Sequence, residues 1–90
     1  MDAKTGMLVK AAAGRDKNKF FVITELEGKY AYIADGKSRK LEYAKKKSLK
    51  HVKLTNTVID MAGLTDKKLR KLLNEYSHDN DAHEGGSNFV

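Results

Sequence analysis

The chain has 90 residues, a mass of 10.1 kDa and a net charge of +6, which fits one small domain because domains most often hold about 100–150 residues. It has no cysteine, which excludes disulfides and thiolate metal sites. Its apolar runs are shorter than the roughly 20 residues that cross a bilayer, and the first residues lack a secretory-signal pattern. We therefore expect a soluble, cytoplasmic protein.

The first half alternates apolar and polar residues between closely spaced turn signals, a pattern typical of small barrels or sandwiches. Residues 14–19 form a polar turn, Gly28 lies in a tight hairpin, and Asp35-Gly36 is a third turn. Five strands are predicted around these turns and a basic segment over residues 37–50: Met7–Ala13, Phe20–Leu26, Tyr30–Ala34, His51–Leu54 and a short strand near Thr57–Ile59. Residues 1–60 are therefore interpreted as the barrel domain.

The second half has a helical period instead. Apolar residues follow the i, i+3, i+4, i+7 spacing of an amphipathic helix, namely Leu69, Leu72, Leu73 and Tyr76. Thr65 is a suitable N-cap, and Asp66 suits the positive end of the helix dipole. The helix propensity then falls at Ser77-His78-Asp79-Asn80. We predict a helix within residues 61–76 and a flexible acidic tail over residues 77–90.

Basic residues are concentrated in the first part of the chain. Residues 1–53 hold fourteen basic and six acidic residues, whereas residues 74–90 hold four acidic residues and no lysine or arginine. The first and third connections of an up-and-down sheet lie at the same end, so two cationic loops are expected to converge there, with Glu25 and Glu27 at the other end. Such a charge concentration is typical of nucleic-acid binding, and an ordinary solvated surface is the alternative.

The strongest chemical signal is the segment from Lys37 to Lys53, which holds eight lysine or arginine residues and a single acidic residue. Tyr43, within it, has two roles that the sequence leaves open: stacking on an unpaired base or packing the loop against the barrel. Lipid headgroups would also attract these cations, but no amphipathic basic helix or lipidation signal accompanies them. Nucleic acid is therefore favoured over a membrane surface.

The sequence predicts no enzyme. It contains neither a glycine-rich phosphate loop nor a nucleophile elbow, and His51 has no adjacent nucleophile or orienting carboxylate. The tail segment 78–84 holds histidine and acidic residues that suit zinc or nickel. A solvated tail is the better interpretation because nothing pre-organises these ligands. We expect no catalytic residue, no bound metal and no cofactor.

Part of the first half resembles a KOW motif, which occurs in ribosomal proteins and in transcription and translation factors. The apolar strand Met7-Leu8-Val9 precedes Gly14 and a basic turn with Lys17, and the strand Phe21-Val22-Ile23 follows. Asn18 stands where the family often has a second glycine, and asparagine tolerates a positive φ better than most residues. The turn is therefore expected to survive this change.

The residues that follow narrow the resemblance. Ala34-Asp35-Gly36, Arg39-Lys40 and residues 47–55 are similar to large-subunit ribosomal proteins of the archaeal and eukaryotic eL-fourteen type, and closer still to small stand-alone bacterial KOW-domain RNA-binding proteins. The resemblance covers residues 4–55 and implies an SH3-like β-barrel with ribosomal RNA as its partner. In this family the loop with the motif commonly contacts RNA or protein, and it corresponds to residues 14–19 here.

We therefore predict a mainly β fold: a small SH3-like barrel of about five strands, a C-terminal helix packed on or beside it, and the flexible tail. We expect a non-catalytic, monomeric RNA-binding protein that associates with the ribosome through large-subunit ribosomal RNA, with ribosomal proteins as further partners. The alternative is a protein-interaction adaptor in a transcription or translation complex. The predicted RNA-binding residues are Gly14, Arg15, Lys17, Lys19, Lys37, Arg39, Lys40, Lys45, Lys46, Lys47, Lys50, His51 and Lys53.

Overall fold

A computed structural model describes residues 2–89 of the chain, with side chains over residues 2–79. Its elements, in chain order, are β1 Met7–Ala11, β2 Phe20–Glu27, β3 Tyr30–Ala34, β4 Lys45–Ser48, β5 Val52–Val58 and α1 Asp66–Phe89. Short 3-10 helices at Leu41–Tyr43 and Leu49–His51 flank β4. The strands form one antiparallel sheet in the order β4-β3-β2-β1-β5. The predicted fold class, a mainly β fold with one C-terminal helix, is confirmed.

Alternation along the strands gives the sheet an apolar layer on each side. The odd-numbered apolar residues of β1 pack with Phe21 and Ile23 of β2 in one cluster. The even-numbered Leu8 and Val22 belong to a second cluster, which α1 completes with Leu69 and Leu73. Burying a large apolar side chain of this kind contributes about 1.5–3 kcal/mol. The second layer therefore holds the helix on one face of the sheet.

The start of α1 is set by Thr65, as the sequence predicts. Its hydroxyl oxygen accepts a hydrogen bond from the Lys68 backbone nitrogen at 3.2 Å, and its carbonyl accepts one from the Leu69 nitrogen at 2.8 Å. The Asp66 carboxylate accepts a further hydrogen bond from the Leu41 backbone nitrogen at 2.8 Å. The cap therefore fixes the helix to the β3–β4 connection as well as starting it.

Two strand predictions were wrong in position. Residues 45–48, predicted as loop, form the edge strand β4; lysine has low strand propensity, but lysines are common on edge strands, where they oppose aggregation. The separate strands predicted at 51–54 and 57–59 are the single strand β5, and His51 lies in a 3-10 helix. β5 runs through Asn56, and next to it the Thr55 hydroxyl donates a hydrogen bond to the Leu8 carbonyl at 2.6 Å, where the β1–β5 register shifts.

The helix continues beyond Tyr76, where it was predicted to end. Ser77, His78 and Asp79 are weak helix formers, each costing only a few tenths of a kcal/mol relative to good ones, and no proline follows to stop the helix. Most of the acidic tail, residues 80–90, lies outside the residues whose side chains are described. Its predicted flexibility therefore stays a prediction.

Candidate nucleic-acid interface

The β1–β2 loop (residues 12–19) and the β3–β4 loop (residues 35–44) meet in the folded chain. Asn18 and Lys19 from the first loop and Asp35 and Lys37 from the second line one open groove. This is the convergence that the order of the strands predicts. Cations from two segments distant in sequence are thereby presented on one side of the molecule.

The β1–β2 loop is shaped by two residues with positive φ. Gly14 has φ +81° and Asn18 has φ +74°, and Asn18 is the one non-glycine residue with positive φ in the described part of the chain. Hydrogen bonds close the loop from the Asn18 nitrogen to the Ala11 carbonyl at 2.8 Å and from the Ala11 nitrogen to the Lys19 carbonyl at 2.9 Å. The loop therefore keeps a fixed shape while the side chains at its tip, Arg15 and Lys17, are exposed.

Asp35 organises the β3–β4 loop. Its carboxylate accepts hydrogen bonds from the Lys37 nitrogen at 2.9 Å, the Arg39 nitrogen at 2.8 Å and the Ser38 hydroxyl at 3.1 Å. This arrangement is an Asx-type turn, in which a side chain satisfies backbone donors that no strand uses. Lys37 and Lys40 are exposed as a result, and Arg39 is half-buried.

Of the three acidic residues in the two loops, Asp16 and Asp35 are engaged inside the fold, whereas Glu42 is exposed. Asp16 lies 4.0 Å from the Lys19 ammonium and 3.9 Å from that of Lys45, and the carboxylates of Asp35 and Asp66 accept backbone hydrogen bonds. In contrast, five predicted cations have no acidic partner among the described residues: Arg15, Lys17, Lys37, Arg39 and Lys40. These five carry the free positive charge of the two loops.

The lysine triplet 45–47 lies differently from the prediction, because it belongs to strand β4. Lys45 and Lys47 lie opposite Ile33 and Ala31 in the β3–β4 ladder. Lys45 pairs with Asp16, and the Lys47 ammonium donates a hydrogen bond to the Ala13 carbonyl at 3.0 Å. Both side chains therefore hold the β1–β2 loop against β4, and they are half-buried rather than free.

Lys46 belongs to a separate cluster at the β2–β3 hairpin. Its ammonium lies 3.2 Å from Glu27 Oε1 and 4.7 Å from the centre of the Tyr30 ring, and Tyr32 donates to Glu27 Oε2 at 3.1 Å. Hydrogen bonds from Lys46 and then from Tyr32 hold the pKa of Glu27 below its ordinary value, and the same carboxylate raises the pKa values of Lys46 and Tyr32. Lys46 thus neutralises part of the acidic end.

The three remaining predicted RNA-binding residues lie around the start of β5. Lys50 and His51 are exposed in the 3-10 helix, whose His51 carbonyl accepts a hydrogen bond from the Ala12 nitrogen at 2.8 Å. Lys53 lies directly opposite Lys10 in the β1–β5 ladder. Positive charge therefore continues from the β1–β2 loop onto the adjacent edge of the sheet.

The side chain of Tyr43 is 76% exposed. Its neighbours Leu41 and Ala44 provide the apolar contacts that hold this segment against the second core cluster. Of the two roles that the sequence leaves open, this exposure excludes packing of the Tyr43 ring against the sheet. An exposed aromatic ring beside a cationic loop has the chemistry to stack on an unpaired base.

Three cationic residues of α1 also belong to this candidate site, and the sequence did not predict them. Lys67, Arg70 and Lys71 line the groove opposite the two loops. Their spacing of i, i+3 and i+4 places them on one helix face, which the sequence does reveal. The direction of that face depends on how Leu69 and Leu73 dock on the sheet, and the sequence does not reveal it.

Comparison of the chain with protein-family models and with curated proteins finds no match. The resemblance to the KOW family therefore stays a prediction. Over the described residues, no helix combines the length and apolar character needed to span a membrane. The same part of the chain has no group of three or more side chains suited to a metal ion, and most of segment 78–84 lies beyond residue 79.

Proposed function

We propose that this protein is a non-catalytic RNA-binding module that docks its two basic loops on structured RNA, with large-subunit ribosomal RNA as the target and the cytoplasm as its location. One observation carries the proposal. The β1–β2 and β3–β4 loops meet, and they expose Arg15, Lys17, Lys37 and Lys40, while the carboxylates of Asp16 and Asp35 are engaged inside the fold. Such a surface attracts phosphates irrespective of base sequence.

Fixed loop shape favours recognition of structured RNA over a flexible polyanion. Two positive-φ residues and two backbone hydrogen bonds define the β1–β2 loop, and Asp35 defines the β3–β4 loop. Pre-organised cations lose less conformational freedom on binding. Their spacing can then match the phosphates of a folded RNA, whose base edges lie in a deep groove that side chains cannot read. Tyr43 would add stacking on an unpaired base next to the docked backbone.

The adaptor alternative has less support. It requires the apolar face of α1 to be available for a partner, but Leu69 and Leu73 are buried against the sheet. Leu72 and Tyr76 are partly buried in the same cluster. The helix therefore uses its apolar face within the domain.

Co-sedimentation with ribosomal subunits at low and moderate salt tests the proposal. The double variant Arg15→Gln/Lys17→Gln removes two free loop cations, and Lys29→Gln/Lys68→Gln removes two exposed lysines outside the two loops and the groove. We expect the unaltered chain and the control to remain with the large subunit at moderate salt, and the loop variant to be released. Equal retention of both variants, or loss of the unaltered chain at moderate salt, would contradict docking through the loops.

Tyr43 allows a separate test with an RNA that has an unpaired loop. Tyr43→Phe keeps the ring, whereas Tyr43→Ala removes it, and stacking on a base is worth about 1–3 kcal/mol. Tyr43→Ala should therefore weaken binding by at least about fivefold while Tyr43→Phe leaves it nearly unchanged. If both variants bind as well as the unaltered chain, Tyr43 does not stack.

A further inference from the structure

The groove between α1 and the two loops has a cationic lining from three segments of the chain. Lys67, Arg70 and Lys71 contribute from the helix, Lys19 from the β1–β2 loop and Lys37 from the β3–β4 loop. The groove is open and has a volume of about 710 Å³.

The groove carries an excess of positive charge that acidic side chains of the domain do not neutralise. Like charges four residues apart, such as Lys67 and Lys71, destabilise a helix. Asp35 is the one acidic side chain among the lining residues, and hydrogen bonds within its own loop occupy its carboxylate. Lys10 adds positive charge at the border of the groove, since its ammonium lies 5.4 Å from the centre of the Phe20 ring, which lines the groove. A bound anion would relieve this repulsion.

Arg70 is held in position to bind that anion. Its Nη1 donates a hydrogen bond to the Gly36 carbonyl at 2.6 Å, which links α1 to the β3–β4 loop. A guanidinium group has five N–H donors, so the anchored side chain keeps donors for another acceptor. Planar guanidinium donors bind phosphate through paired hydrogen bonds, which a lysine cannot do.

The groove offers phosphate contacts but no platform for a base. Phe20 is its one aromatic lining residue, and the ring is half-buried. Tyr76 meets that ring edge-on with centroids 5.1 Å apart, and Lys10 lies over it. Bases that are paired need no such platform, because double-stranded RNA is recognised through its backbone and shape.

We propose that this groove binds the phosphate backbone of a double-stranded RNA segment, with Lys67, Arg70 and Lys71 as phosphate-contacting residues. The inference rests on the RNA-binding function proposed above and extends the interface from the two loops to the helix. Backbone contacts make the affinity insensitive to base sequence and strongly sensitive to salt.

The salt dependence of binding to a mixed-sequence RNA duplex tests this inference. Lys67→Gln/Lys71→Gln removes two groove cations, and Lys29→Gln/Lys68→Gln is the matched control, because Lys68 lies on the same helix without lining the groove. Each lost phosphate contact lowers the slope of log K against log salt by about 1. For the groove variant, the magnitude of this slope should therefore fall by about 2, and by the same amount for duplexes of different sequence. The slope of the control variant should not change. Thermal unfolding verifies that both variants remain folded.

The outcomes separate this inference from the proposed function. If Arg15→Gln/Lys17→Gln lowers the slope and the groove variant matches the control, the loops bind RNA and the groove assignment is overturned. If the unaltered chain does not bind the duplex even at low salt, both proposals are overturned. If the groove variant loses affinity for single-stranded RNA but keeps it for the duplex, the assignment to double-stranded RNA is wrong.

Discussion

Gly36 lies directly against the backbone carbonyl of Asp66, with no space for a side chain between them. The contact joins the β3–β4 loop to the first residue of α1. It is reinforced by the hydrogen bond from the Leu41 nitrogen to the Asp66 carboxylate and by that from Arg70 to the Gly36 carbonyl. The residues next to Gly36 and Asp66 line the cationic groove, namely Asp35, Lys37 and Lys67, so these contacts join the two sides of the groove.

Replacement of Gly36 by alanine should separate α1 from the β3–β4 loop. Gly36 has φ +77°, and its added Cβ would overlap the Asp66 carbonyl. Gly28 is the matched control, since it also has positive φ, at +58°, but nothing lies within 4 Å of an added Cβ. Strain alone should cost Gly28→Ala about 1–2 kcal/mol of unfolding free energy, and Gly36→Ala should lose more. Urea denaturation measures the unfolding free energy of both variants. Equal losses would show that α1 moves away from the added Cβ without any loss of stability.

Most of the fold could be predicted from the sequence because its signals are local. The alternation in β1 to β3, the turns and the Thr65 cap each need only a few consecutive residues. The error at β4 arose because residues 45–48 have poor strand propensity and owe their conformation to pairing with β3. Long-range pairing of this kind overrides local preference, and no pattern within the segment indicates it.

The candidate site was predicted less completely than the fold. Sequence and strand order were sufficient to bring the two loops together. They were insufficient to distinguish free lysines from engaged ones, since the partners of Lys45 and Lys47 lie about thirty residues away in the β1–β2 loop. The α1 cations were missed for a related reason, because their position depends on the docking of the helix.

Asn18 should tolerate glycine but not a β-branched residue. Its φ of +74° is strained for any side chain that cannot hydrogen-bond locally. We expect Asn18→Val to lose about 1–2 kcal/mol of unfolding free energy and Asn18→Gly to be nearly neutral, measured by urea denaturation. A stable valine variant would mean that the β1–β2 loop readily adopts another shape, which would remove the argument for pre-organised cations.

The packing of α1 on the sheet predicts a graded response along its apolar face. Leu69 is fully buried, whereas Leu72 is only partly buried. Leu69→Ala should therefore cost about 2–5 kcal/mol and Leu72→Ala less, while the exposed Glu75→Ala should change stability by less than about 0.5 kcal/mol. Thermal or urea unfolding provides the comparison. If Leu69→Ala is as stable as Glu75→Ala, the helix does not depend on the sheet, and its apolar face would be available to a partner protein.

The Glu27 cluster predicts a defined dependence on pH. Hydrogen bonds from Lys46 and Tyr32 stabilise the carboxylate, so the pKa of Glu27 is lower in the folded chain than its ordinary value. A lowered folded pKa gives stabilisation that is present above the unfolded pKa and is lost as the pH falls through the folded value. The carboxyl chemical shift of Glu27, followed by NMR as the pH is lowered, should therefore have its midpoint below the ordinary value. Lys46→Met removes the main cause and should move the midpoint upwards, whereas an unchanged midpoint would show that the ion pair does not form in solution.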